Sequence, residues 1–198
     1  MSEITEELVN VVVPEQVSYN GQTMNVVKIE LWHGAYSENK QNVKSITIPS
    51  NVNNVRLSGF PNLTSIAPID GLQELVFYEL SSLSQLIIPS SISKIGISRC
   101  YSLHKLIVLD GENELKWVNG YGITEGTFYA PIDTLYCGRN MNMSQTGYSN
   151  NFCLNLKSFG IGDNVTDLSL PHISDSLARL FVPKNLRDVH TSFHNGNW

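Results

Sequence analysis

The sequence predicts a mainly β, right-handed solenoid: a stack of coils about 20 residues long, two short strands per coil, entered through an N-terminal β-hairpin. Three observations predict it. A five-residue phrase, small or polar then apolar-x-x-apolar, reads NVKSI from Asn42, NVNNV from Asn51, NLTSI from Asn62, GLQEL from Gly71, SLSQL from Ser82, SISKI from Ser91 and SLHKL from Ser102. Its starts alternate 9 and 11 residues apart, giving a 20-residue period made of two half-units. Each phrase also runs on into alternating apolar residues, as in Ile46-Thr47-Ile48 and Leu86-Ile87-Ile88. Such period-two runs are strands rather than helices.

The length of 198 residues favours a single domain. Within it, residues 1–41 read as a cap, 42–109 as regular repeats, 110–154 as an irregular insertion and 155–198 as C-terminal repeats. In the cap, Asn20-Gly21 sits between short runs of strand character, and both central residues of a type I′ hairpin turn need positive φ. In the regular region Pro49 and Pro89 follow the first half-unit, and Pro183 does so near the C-terminus. A strand ends there because proline cannot donate to a ladder. The insertion breaks the period, with ELKWV from Glu114 and PIDTL from Pro131, and concentrates Trp117, Tyr121, Tyr129, Tyr136 and Tyr148. Longer strands or a protruding loop are expected there. The phrase then returns as NLKSF from Asn155, NVTDL from Asn164, SLARL from Ser176 and NLRDV from Asn185. A coil cannot bury its apolar face alone, so each depends on the next one stacked against it.

The register accounts for the three cysteines. Phe60, Leu80 and Cys100 stand 20 apart, each three residues before Leu63, Leu83 or Leu103, and Cys153 holds the same place before Leu156. Cys137 falls where Ile48 and Ile88 fall. All three read as small buried hydrophobes, not a disulfide framework. A net charge of -5 argues against phosphate backbones as ligands. No apolar run is long enough for a membrane-spanning helix, and the acidic start of the chain lacks the pattern of an export signal.

These residues resemble the BspA-like leucine-rich repeats of bacterial, Bacteroides-type surface proteins. Leu83-Ser-Gln-Leu86-Ile-Ile-Pro89, Ile92-Ser-Lys-Ile95-Gly96 and Cys100-Tyr-Ser-Leu103-His-Lys-Leu106 resemble that family's frame, and the stretch from Val13-Pro14 to Ile29 its lead-in hairpin. Family coils run to about 23 residues, with an Ala-Phe pair that Gly96-Ile-Ser-Arg-Cys100 lacks, so a tighter coil is expected. The resemblance implies a leucine-rich-repeat solenoid at the cell surface or secreted, acting as an adhesion or protein-binding module. Its implied partner is a host extracellular or bacterial surface protein.

Catalytic, metal and cofactor sites are not expected. Neither GxSxG nor HExxH occurs, Gly160-x-Gly162 opens no phosphate-binding helix, and His190 with His194 falls short of a zinc ligand set. Asp110, Glu112 and Glu114 read as a solvated corner because they lack the spacing of a calcium loop. What remains is the outward face of the first-half strands. There Ile87, Ile107, Tyr136 and Phe181 form an apolar and aromatic file bordered by Gln85, Lys105 and Arg179. Aromatic residues with Arg favour protein recognition on such a face. The alternatives are a glycan stacked on Trp117, Tyr121 and Tyr129, and a structural spacer or assembly element.

Overall fold

The computed structural model describes residues 9–31, 42–67, 69–118, 130–142, 155–170, 173 and 176–190. Among them, strands of successive coils pair in parallel into two facing walls. One wall is an unbroken eight-stranded sheet of β4 (Lys28–Leu31), β6 (Asn54–Ser58), β8 (Glu74–Tyr78), β10 (Lys94–Ser98), β12 (Leu115–Trp117), β14 (Met141–Asn142), β16 (Asp167–Ser169) and β18 (Asp188–His190). The other wall is divided. Its first part holds β1 (Asn10–Val12), β5 (Ser45–Thr47) and β7 (Ser65–Ala67), and its second holds β9 (Gln85–Ile88), β11 (Lys105–Val108), β13 (Thr134–Cys137), β15 (Ser158–Ile161) and β17 (Arg179–Phe181).

The predicted 20-residue register appears as Asn54↔Glu74↔Lys94 in the continuous wall and Gln85↔Lys105 in the divided one. Alternation then sorts the side chains. Val55, Leu75 and Ile95 form one inward column, and Leu57, Phe77 and Ile97 the next, all buried. Leu63, Leu83, Leu103 and Leu156 close the coils from the end of the section, and every one is buried. Deleting a side chain from such a column is expected to cost about 2–5 kcal/mol.

A second 20-residue ladder lies at the corner after the continuous wall and is not visible in the apolar pattern. Gly59, Glu79 and Arg99 all adopt positive φ, at 74°, 56° and 53°. The corner turns the chain so that Phe60, Leu80 and Cys100 point inward. Only Gly59 takes this conformation without steric cost. At the other two positions the Arg99 guanidinium donates to Glu79 Oε1 at 2.8 Å and lies 5.2 Å from the Tyr78 ring centroid. The pair and the cation–π contact offset part of that cost.

Two expectations change. The N-terminal segment read as a cap supplies β1 and β4, so it is already a coil of the stack. The hairpin of β2 (Gln16–Tyr19) and β3 (Gln22–Asn25) is an excursion from that coil, with Asn20 and Gly21 at positive φ as predicted. Asn51 ties it down, its Nδ2 donating to Glu15 O and Val26 O. The insertion likewise supplies β12, β13 and β14, in register with both walls. These strands are short rather than long. The chain at 119–129, between β12 and β13, and at 143–154, after β14, lies outside the described residues.

Cys100 and Cys137 are buried thiols in no disulfide, while Cys153 lies outside the described residues. Burial pushes the Cys100 thiol up to about 12 from 9.0, against the smaller opposing effect of backbone hydrogen bonds at Leu80 and Ser98. A raised folded-state value favours the protonated native form. The linked stability is therefore complete below about pH 8.5, where an unfolded thiol begins to ionise, and it is lost as the pH rises toward 12. Tyr78 and Tyr136, both raised first by burial, add to the loss only above the ordinary tyrosine value of 10.0. Urea midpoints between pH 8 and about 9.5 should fall in the parent and stay flatter in Cys100→Ala. Site-resolved maleimide labelling at pH 8 should spare Cys100 in the native protein and modify it in denaturant.

Candidate functional site

The second part of the divided wall carries the predicted file. Inward residues Leu86, Leu106, Leu135 and Phe159, with Ile88, Val108, Cys137 and Ile161, belong to the core. The residues between them must point out. Registers align Gln85, Lys105, Thr134, Ser158 and Arg179 in one outward row, and Ile87, Ile107, Tyr136, Gly160 and Phe181 in the other. Every residue of the predicted file thus lies on one face. Sequence reasoning omitted Ser158 and Gly160, although the NLKSF phrase from Asn155 already marked their strand.

Gly160 changes the file. A side chain there would have its Cβ 2.9 Å from Tyr136 Cδ2, so the Tyr136 ring lies over the space the glycine leaves. The Tyr136 hydroxyl donates to Asp110 Oδ1 at 2.9 Å. Burial first, and then this bond, raises the phenol above its ordinary value. Tyr136 is half-buried and tethered at both ends. It is part of the wall, and Asp110 is its anchor.

The apolar exposure therefore divides between two ends. Ile87 is 50% exposed at one end and Phe181 64% at the other, with Ile107 half-buried between them. Leu180 and Val182 join Phe181 at the far end. In the repeat pattern Leu180 aligns with buried Phe159, yet it is 53% exposed. The reason is its place: among the described residues β17 is the terminal strand of its sheet, so no further coil covers its side chains. Gln85, Lys105 and Arg179 are exposed beside the file, as expected. The opposite wall offers less. Its outward residues Val76 and Ser98 are buried, and the Val118 carbonyl lies over Gly96 where a Cβ would come within 2.8 Å.

Of the expected glycan platform, Trp117 offers no face. Trp117 is the last residue of β12 and packs in the core at 7% exposure. Alternation from Leu115 turns it inward, which leaves no ring face for a sugar. Tyr121 and Tyr129 lie outside the described residues, as does His194.

Beside Ile87 the wall opens into a cleft of about 580 Å³ between β7 and β9. Ile66, Leu83 and Leu86 line its apolar part, and Asp70 is the one charged residue among those lining it. Ile66 is half-buried, whereas Ile46 and Leu86, at the equivalent places in neighbouring coils, are buried. Nothing in the repeat phrase marks this opening.

No model of a known protein family matches the chain. No curated protein matches it either. Among solved structures it is similar to a leucine rich cell surface protein from Faecalibacterium prausnitzii, at 12% identity and a TM-score of 0.37, over 92% of this chain and 71% of that one.

Proposed function

We propose that the chain is a non-catalytic protein-binding or adhesion module of a BspA-like leucine-rich-repeat protein at a bacterial surface. The observation that supports this reading is the exposed apolar file of the divided wall, with Ile87 at one end and Phe181 at the other. Solvent-facing apolar side chains on a rigid strand face, bordered by Gln85, Lys105 and Arg179, combine the anchors and polar rim of a protein-recognition surface. The proposed partner is a host extracellular or bacterial surface protein.

Biolayer interferometry with the immobilised chain, against a panel of purified matrix and bacterial surface proteins, tests it. Phe181→Ala together with Ile87→Ser should weaken a bound panel protein by at least about tenfold, the effect of losing one hot-spot contact. The urea midpoint should hardly move, because both side chains are exposed. Unchanged affinity would remove this face from consideration.

A further inference from the structure

β7 and β9 occupy neighbouring coils, yet they belong to different sheets. At the same coils the opposite wall pairs β6, β8 and β10 without interruption. The sequence supplies a reason for the one-sided break. In a paired coil the residue that closes the strand donates its N–H to the next coil, as Ile48 N does to Ala67 O at 3.0 Å. Twenty residues on from Ile48 stands Pro68. That residue lies outside the described set, but a proline has no N–H to give wherever it sits. Coils on either side place their proline one position later, at Pro49 and Pro89, after the last donor is used.

Two parallel edges consequently face each other across the cleft. Strand alternation turns the backbone of Ser65 and Ala67 toward β5, where Ser65 N donates to Lys44 O and Ile48 N to Ala67 O. It leaves the N–H and C=O of Ile66 turned toward β9. On β9, Ile88 O faces β11 and accepts from Leu109 N at 2.9 Å, so Gln85 and Ile87 turn their backbone groups toward β7. Among the described residues none of these edge groups has a hydrogen-bond partner.

We propose that this slot receives an extended segment of another polypeptide as a parallel strand, restoring the ladder between β7 and β9. The proposal rests on the reading that this wall binds protein and narrows it to strand insertion. Donors and acceptors alternate along both edges at peptide spacing, and a strand is the group that presents both kinds to both sides at once. One inserted strand requires its neighbours to stand about 9.6 Å apart, twice the roughly 4.8 Å strand spacing, in place of direct pairing. Register fixes the pattern. The segment's central residue aligns with Ile66 and Leu86 and is apolar, to meet the core. Its neighbours align outward with Ser65 and Gln85 on one side and with Ala67 and Ile87 on the other. A basic residue after the strand suits Asp70, which follows β7 in the chain and lines the cleft.

The chain's own strands show which sequence fits such a place. A fluorescein-labelled peptide copying Lys44–Ser50, with a lysine added at its C-terminus, is the probe, read by fluorescence anisotropy on the full chain. Parent protein should bind it. N-methylation of the peptide's first isoleucine, the copy of Ile46, removes the N–H that would donate to Gln85 C=O, and should weaken binding by about tenfold. Pro68→Ile restores the missing donor, closes the wall and should abolish binding, while Phe181→Ala should leave it intact. By hydrogen exchange, the Ile66 and Ile87 amides should exchange fast in the free protein and slow down with peptide. Equal binding of the N-methylated peptide overturns strand insertion even if Pro68→Ile does not fold. Slow Ile87 exchange without peptide also overturns it, as does a dimer protected at these amides, which would make a second copy the occupant. Panel proteins that depend on Phe181 but not on Pro68 would leave the face reading standing and remove the slot. Peptide binding with no panel protein bound would do the reverse.

Discussion

Gly138→Ala is expected to destabilise the protein by about 4 kcal/mol, at the upper end of single substitutions. The added Cβ would sit 2.5 Å from both Asp110 N and Asp110 Oδ1, and 2.7 Å from the Leu109 carbonyl carbon. Two of those three atoms are backbone of the preceding coil. They are held by Gly138 N donating to Val108 O at 2.8 Å, and the next coil is held by Gly162 N donating to Cys137 O at 2.8 Å. Relief requires the coils to part, and with them the Tyr136–Asp110 bond. Gly160→Ala is the control, because its Cβ meets the Tyr136 ring, a side chain that can shift at a cost of about 1–3 kcal/mol. For a chain of this size each kcal/mol moves the melting temperature by about 2–4 °C. Calorimetry should therefore separate the two variants, and equal losses would show that the corner yields.

Arg139→Ala is expected to cost about 3 kcal/mol. Arg139 is fully buried, and its Nη1 and Nη2 donate to Ser90 O at 2.8 Å and Pro89 O at 3.0 Å. It thereby pins the corner after β13 to the corner after β9, two coils away. No carboxylate is paired with it among the described residues, its Nε has no partner there, and burial lowers its affinity for the proton. Two effects oppose each other. The two bonds stabilise, and removing the side chain takes the donor from the Ser90 carbonyl at about 1–3 kcal/mol, while Pro89 O keeps its bond from Ile92 N at 3.2 Å. The buried charge itself is costly, so its removal returns part of that loss. Arg139→Met keeps the stem and drops the charge, and should lose less than Arg139→Ala. Urea unfolding measures the order, and an alanine variant as stable as the parent would mean that the guanidinium contributes nothing net.

The two-stranded coil, its register and the inward columns were legible because they are written in apolar side chains at a fixed period. The hairpin was legible because Asn20-Gly21 carries a conformational requirement. What escaped notice depends on backbone and on long-range approach. Glu79 and Arg99 take positive φ without being glycine, so only alignment with Gly59 hints at the corner. Arg139 reads as a surface residue until the Pro89–Ser90 carbonyls come within reach of it. Trp117 is an available ring by aromatic content alone, whereas its strand phase from Leu115 turns it inward. The residues of the file from Ile87 to Phe181 share one outward row, but Gly160 belongs to it as well and its exposure is uneven. Gly160, whose Gly-x-Gly spacing opens no phosphate-binding helix, is what lets Tyr136 lie down. The cleft has one sequence mark, a proline a single position early.

The continuous wall and the divided one give the stack unequal stiffness. Bending that compresses or stretches the continuous wall works against hydrogen bonds in every coil. Bending that opens or closes the divided wall meets no ladder between β7 and β9. With a ladder on one side only, bending is expected to concentrate at this level, between the coils up to β7 and those from β9 onward. Tension along the stack is carried by one wall at that level, where it pulls end-on on the hydrogen bonds that join β8 to β6 and β10.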